Sequence, residues 1–223
     1  MNHNAKLIVF DWDGTIMDSV GHIVDCLQAA ITDLQLPTKT PDELKNIIGL
    51  GLREALYSLY PQATNDELVS LTAQYREHFF DQDHQPCELF SGARELIESL
   101  HTADYHLAVA TGKGRQGLNK VLKETGLEEY FTFTRCADET HSKPHPQMLL
   151  DIMNFYGVKA HETIMIGDTE YDLQMANNAA TASIAVSYGV HEKERLLSCN
   201  PVACVDNINE LHQWLLTDNA ITA

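Results

Sequence analysis

The sequence predicts an α/β protein: a doubly wound, three-layer parallel sheet with a small all-helical cap. Three observations predict it. The apolar run Leu7-Ile8-Val9-Phe10 leads straight into Asp11-Trp12-Asp13-Gly14-Thr15, a strand followed by a sharp turn. Residues 18–85 carry helical periodicity and no convincing strand. From residue 86 onward apolar runs alternate with amphipathic segments, the pattern of βαβ units.

In the insertion, Ile23, Leu27, Ala30, Ile31 and Leu34 recur at helical spacing, predicting a helix from Ser19 to about Gln35. Thr40-Pro41-Asp42-Glu43 combines a cap residue, proline at the first helical position and acids in the first turn. Leu44, Ile47 and Ile48 form that helix's apolar face. Gly49 and Gly51 then punctuate the chain before a short helix from Leu52 to Leu59. Asn65 reads as the cap of a long helix running through Val69, Leu71, Tyr75 and Phe79. Elsewhere, strands are expected at 5–10, 105–110, 131–135, 162–166, 182–186 and 203–205. Helices are expected at 91–101, 115–125, 146–156, 170–179, 192–197 and 208–216, with a frayed tail from Asp218 to Ala223. Helices between parallel strands must cover both faces, hence a Rossmann-like core. The domain expectation is a core of residues 1–17 and 86–223 and a cap of residues 18–85.

Composition limits the function classes. The 223 residues suffice for one full core plus an accessory domain. Thirty-two acidic residues against fifteen basic ones give a net charge of −17, a field that repels nucleic acid and anionic membrane surfaces. An anionic substrate would need local positive charge. Five scattered cysteines form no C-x-x-C pair and fit buried thiols in a reducing compartment. No run approaches a membrane span and the N-terminus lacks a signal-peptide pattern, so a cytoplasmic location is expected.

In an open parallel sheet, chemistry gathers at the carboxyl ends of strands. Asp11 and Asp13 leave the first strand two residues apart, and burying both is costly unless a cation or a proton joins them. The spacing asks for a divalent metal, with one acid left for proton transfer. A capped strand end with a solvated turn explains the same residues. Ala108-Val109-Ala110-Thr111-Gly112-Lys113 is a second strand ending in a hydroxyl, a glycine and a base. Lys143-Pro144-His145-Pro146 presents a lysine among prolines, and Thr163-Ile164-Met165-Ile166 runs into Gly167-Asp168-Thr169-Glu170-Tyr171-Asp172.

With DWDGT, ATGK, KPHP and GDTEYD in this order, the chain closely resembles the haloacid dehalogenase superfamily. The resemblance is to its branch of small-molecule phosphatases that includes phosphoglycolate phosphatase, and it spans essentially the whole chain. It implies a Mg²⁺-dependent phosphatase that hydrolyses a small phosphorylated metabolite through an aspartyl-phosphate, with phosphoglycolate as the leading substrate. Asp11 is then the nucleophile. Asp13 is the acid for the leaving alcohol and the base for the second step, a division that the mutual pKa splitting of close carboxylates supports. Thr111 and Gly112 would donate to phosphoryl oxygens, and Lys143 would bridge nucleophile and phosphate. Mg²⁺ is expected on Asp11, Asp168 and the backbone carbonyl of Asp13, an oxygen-only set that suits magnesium better than zinc.

Asp172 would orient Lys143 or a metal-bound water, or else serve as a helix N-terminal acid. Glu170 is expected to be exposed, Trp12 to pack, and all eleven histidines to be structural. Lys113 and Arg115 could add charge near the substrate or lie on the surface. Arg53, in Ile48-Gly49-Leu50-Gly51-Leu52-Arg53, is the candidate for a substrate carboxylate or second phosphate, against a plain surface arginine. Two departures from the family stand out. Ala179-Ala180-Thr181 lacks the usual glycine, so that turn should differ, and the cap lacks the lysine that relatives cleaving phosphonoacetaldehyde carry, with Arg53 in that neighbourhood. The expected partner is a small phosphorylated metabolite, with no nucleic acid or membrane, and the chain is expected to be a monomer or weak homodimer. Inorganic pyrophosphatase, sugar-phosphate mutase and a catalytically silent binding module are the alternatives; the presence of all four key residues argues against the last.

Overall fold

The computed structural model describes residues 5–81 and 87–217. The expected cap boundary after residue 85 and the tail read as frayed lie outside the described residues. The strands among these residues are β1 (Leu7–Phe10), β2 (Met17–Asp18), β3 (Glu88–Leu89), β4 (His106–Thr111), β5 (Phe133–Cys136), β6 (Thr163–Gly167), β7 (Ala182–Val186) and β8 (Ala203–Val205). The α-helices among them are α1 (Val20–Asp33), α2 (Pro41–Asn46), α3 (Leu52–Leu59), α4 (Asn65–Phe80), α5 (Ala93–Thr102), α6 (Arg115–Thr125), α7 (Gln147–Tyr156), α8 (Glu170–Asn178), α9 (Lys193–Leu197) and α10 (Ile208–Thr217).

Six strands form one parallel sheet in the order β5-β4-β1-β6-β7-β8. The chain runs from β1 outward through β4 and β5, then returns to β6 and winds the other way. The order therefore reverses around β1, where the carboxyl ends of β1, β4 and β6 open a crevice. Strand alternation builds two cores. Ile8 and Phe10 pack with Leu96, Ile97, Leu118, Leu122 and Leu211 of α5, α6 and α10. Leu7 and Val9 pack with Met148, Ile152, Met175 and Ala176 of α7 and α8 on the opposite face. Both faces are covered, which explains why β1 is apolar throughout rather than alternating. Trp12 is fully buried, its ring edge-on to Phe131 at 6.1 Å.

The cap has its own apolar cluster, with Leu27, Ala30, Leu44, Leu56, Leu71 and Phe79 at its centre. β2 and β3, an antiparallel pair that periodicity over so few residues does not reveal, tie together the segments leading into and out of these helices. Helix α2 starts as expected, with Thr40 and Glu43 capping each other reciprocally. The long helix starts one residue earlier than expected. Its cap is Thr64, paired reciprocally with Glu67, so Asn65 is the first helical residue. The turn after α8 keeps a left-handed residue despite lacking glycine: Ala180 has φ 56°. Its Cβ is crowded there against the backbone. Since Ala180 is exposed and its side chain packs against little, Ala180→Gly should stabilise the protein by about 0.5–1 kcal/mol. Urea unfolding of both proteins checks this; a destabilised variant contradicts it.

Candidate active site

Asp11 follows β1 and Asp168 follows β6, whose residues pair in register with those of β1, so both carboxylates reach the same crevice. Asp172 comes from the first turn of α8. Oxygens of Asp11, Asp168 and Asp172 lie within 4.8 Å of one another, and all three residues are buried. Lys143, on the loop before α7, extends a buried ammonium into this group. Its Nζ is 2.8 Å from Asp11 Oδ1 and 2.5 Å from Asp172 Oδ1, ion-pair distances without aligned hydrogen-bond geometry. Burial pulls the Lys143 proton affinity down, but Asp11 and Asp172 more than offset it, and the ammonium stays charged.

One ammonium does not neutralise three carboxylates. Burial, together with Asp172 and Asp168, holds the Asp11 carboxyl well above the usual range, although Lys143 opposes this. Burial and then Asp172 push Asp168 up to about 7, against the pull of the Val190 amide, Thr15 and Lys143. The Thr15 hydroxyl donates to Asp168 Oδ1 at 2.8 Å and the Val190 N–H donates to Oδ2 at 2.8 Å, fixing that carboxylate. Asp11 Oδ2 is buried with no protein donor among the described residues. Dry carboxylate oxygens in excess of cations are the donor set a hard divalent ion takes, so these residues fit Mg²⁺. Gly14 is required beside them. It has φ 78°, and a Cβ there would lie 2.2 Å from Asp168 Oδ2.

Asp172 carries out two tasks with two oxygens. Oδ2 accepts from the Thr169 N–H at 3.2 Å and the Thr169 hydroxyl at 2.6 Å, capping α8, while Oδ1 faces Lys143. Asp172 thus sits both at the start of α8 and against Lys143. Asp13 is not part of the acidic trio. Its Oδ1 accepts from the Ser19 hydroxyl at 2.5 Å and lies 3.0 Å from Lys113 Nζ. Lys113 Nζ also sits 4.6 Å above the ring of Phe79 from α4. Thr111 is buried at the end of β4, where its hydroxyl accepts from the Lys113 N–H at 3.1 Å. Gly112 touches the cap directly. A Cβ on it would meet the Leu50 carbonyl at 2.4 Å and the Gly49 carbonyl at 2.7 Å.

One surface reading needs correction, and one of the candidate charges near the substrate is not brought to the crevice. Glu170 is half-buried and ion-paired with Arg195, which also donates to Asn46 of the cap. Arg115 is committed away from the crevice, to both Glu139 oxygens at 2.9 and 2.7 Å and to Thr134. Arg53 is exposed and lines a cavity of about 530 Å³ between cap and core, which also reaches Asp11, Asp13, Thr111 and Gly112. Arg76, Tyr75 and Phe79 line the same cavity. Sequence reasoning missed Arg76, because one charge on an amphipathic helix carries no sign of which cavity it borders. It also missed Ser19, whose place before α1 suggests a helix cap; the hydroxyl bonds Asp13 instead.

The family model for haloacid dehalogenase-like hydrolases matches residues 8–186, and the chain belongs to this family. It is an enzyme of the phosphatase type. The chain is 35% identical over 209 residues to the "Probable phosphatase IndB" of Dickeya dadantii, covering 92% of this chain and 91% of that protein. It is 31% identical to the "Phosphoglycolate phosphatase" of Vibrio parahaemolyticus, covering 93% and 95%. Among solved structures, a "predicted phosphatase" from Clostridium acetobutylicum superposes with a TM-score of 0.85 at 25% identity, covering 96% of this chain and 99% of that one.

A carboxyl whose folded-state pKa is raised keeps its proton longer in the folded chain than in the unfolded one. The stability it contributes is complete below the unfolded value of about 3.9 and is lost as pH rises toward the folded value of about 7. In EDTA, Asp168→Asn should therefore gain stability relative to the unmodified protein between pH 5 and pH 8. Added Mg²⁺ should favour the unmodified protein more. Urea midpoints at the two pH values test this, and an identical gap at both contradicts it.

Proposed function

We propose that the protein is a Mg²⁺-dependent phosphomonoesterase acting on a small phosphorylated metabolite through an aspartyl-phosphate on Asp11. The observation that carries this reading is the buried Asp11 carboxylate, held by Lys143 beside Asp168 and with its second oxygen lacking a protein donor. Asp11 is the nucleophile, and Lys143 holds it and meets the incoming phosphoryl oxygens. Asp11, Asp168 and the Asp13 carbonyl would hold Mg²⁺, which supplies charge to offset the phosphoryl oxygens. Thr111 and the Gly112 amide donate to the same oxygens. Asp13 delivers a proton to the leaving alcohol and then takes one from water. Ser19 and Lys113 on its Oδ1 fix the orientation of this carboxyl.

Residues 18–85 act as a cap that admits substrate and then excludes water. The curated relatives make phosphoglycolate the first ester to assay, and Arg53 at the cap entrance is the candidate for its carboxylate. A mutase or pyrophosphatase would use the same core; a phosphatase releases inorganic phosphate from monoesters without a bisphosphate primer. No helix of the described residues is long and apolar enough to cross a membrane.

Asp11→Asn should abolish phosphate release from p-nitrophenyl phosphate while circular dichroism stays unchanged, and EDTA should suppress turnover until Mg²⁺ is restored. Undiminished activity in Asp11→Asn would refute the nucleophile assignment. Arg53→Ala should raise KM for phosphoglycolate by about tenfold, on the scale of one lost charge-assisted contact. Its effect on p-nitrophenyl phosphate should be smaller, and equal effects on both esters would remove Arg53 from recognition.

A further inference from the structure

The cap is docked on the core on one side of the crevice. The Gly51 N–H donates to Ser142 Oγ at 2.7 Å, the Tyr171 hydroxyl donates to the Asn46 carbonyl at 2.9 Å, and Gly112 seats against Gly49 and Leu50. Even with these contacts made, a cavity of about 530 Å³ remains between α1, α4 and the Asp11 crevice. It falls in the roughly 300–1,000 Å³ range of pockets that enclose whole organic molecules. A two-carbon acid phosphate would fill little of it.

The cavity wall is also chemically specific. Ile23, Leu27, Tyr75 and Phe79 give an apolar and aromatic surface above the crevice. Such a wall contributes binding energy only when a ligand displaces water from it. Of the fifteen basic residues in this acidic chain, Arg53, Arg76 and Lys113 line this one cavity. Lys113 is engaged by Asp13, while the two arginines belong to the cap helices α3 and α4. Asp138 and Glu54 are also on the wall; Asp138 accepts from the Arg115 amide, and Arg53, beside Glu54 on α3, donates to Asn65 Oδ1 at 3.4 Å, leaving Arg76 as the cation of α4.

Building on the phosphomonoesterase reading, we propose that the preferred substrate is a phosphate monoester whose leaving alcohol carries an apolar or aromatic body, with an anionic group at its far end bound by Arg76. The body covers the α1–α4 wall and excludes water from Asp13. Binding energy gained there, remote from phosphorus, is available to position the ester for attack by Asp11. Arg76 sets specificity and takes no part in bond making.

Three alkyl phosphates with comparable leaving alcohols test this: phosphoglycolate, benzyl phosphate and 4-carboxybenzyl phosphate. The expected order of kcat/KM is 4-carboxybenzyl over benzyl over phosphoglycolate, with about tenfold or more between first and last. Arg76→Ala should shrink the 4-carboxybenzyl-to-benzyl ratio about fivefold or more, and Arg76→Lys should restore part of it. Phosphoglycolate equal to or better than both benzyl esters overturns the proposal, as does a ratio unchanged in Arg76→Ala. The parent reading fails separately: Mg²⁺-independent turnover of p-nitrophenyl phosphate, or activity in Asp11→Asn, would defeat it whatever the order of the three esters.

Discussion

Three buried carboxylates facing one buried ammonium set the terms for the rest of this structure. Asp11, Asp168 and Asp172 would repel one another strongly in a dry crevice, and Lys143 compensates only part of that charge. The fold tolerates the arrangement because two of the three carboxylates have fixed donors, while Asp11 has only the Lys143 ammonium beside it. Thr15 and Val190 hold Asp168, and Thr169 holds Asp172. The remaining imbalance, expressed as raised proton affinities on Asp11 and Asp168, is what a divalent cation would relieve. The cost of assembling the site in the metal-free chain and its affinity for a cation are therefore two aspects of the same electrostatics.

The parallel sheet makes this assembly possible. Reversal of strand order around β1 leaves β4 and β6 as its neighbours, so loops distant in sequence emerge side by side. Apolar residues on both faces of β1 keep its end rigid. The carboxylates then project from elements that the core holds in place, which suits chemistry that depends on positioning.

Asp13 lies where core and cap meet. Ser19 precedes the first cap helix, Phe79 lies near the end of the last one, and Lys113 comes from the core loop after β4. The hydroxyl and the ammonium converge on one oxygen of Asp13, and the aromatic ring shields the ammonium. Orientation of this carboxyl is thus sensitive to how the cap sits. Gly112 serves the same junction, since only a residue without a Cβ allows the Gly49–Leu50 backbone to approach so closely.

Periodicity, caps and motif order in the sequence by themselves determined the α/β class, the helical insertion and the family, because these are local signals repeated along the chain. Element ends shifted by a residue or two, as at Thr64, because neighbouring cap residues compete for the same role. Tertiary structure alone decided which charges share a space. Nothing local distinguishes Lys113, which reaches Asp13, from Arg115, which turns to Glu139. Neither the cavity bordered by Arg76 nor the left-handed Ala180 has a sequence signature. Distances between residues far apart in the chain depend on how layers pack, and side-chain direction on a helix is read only once its neighbours are known.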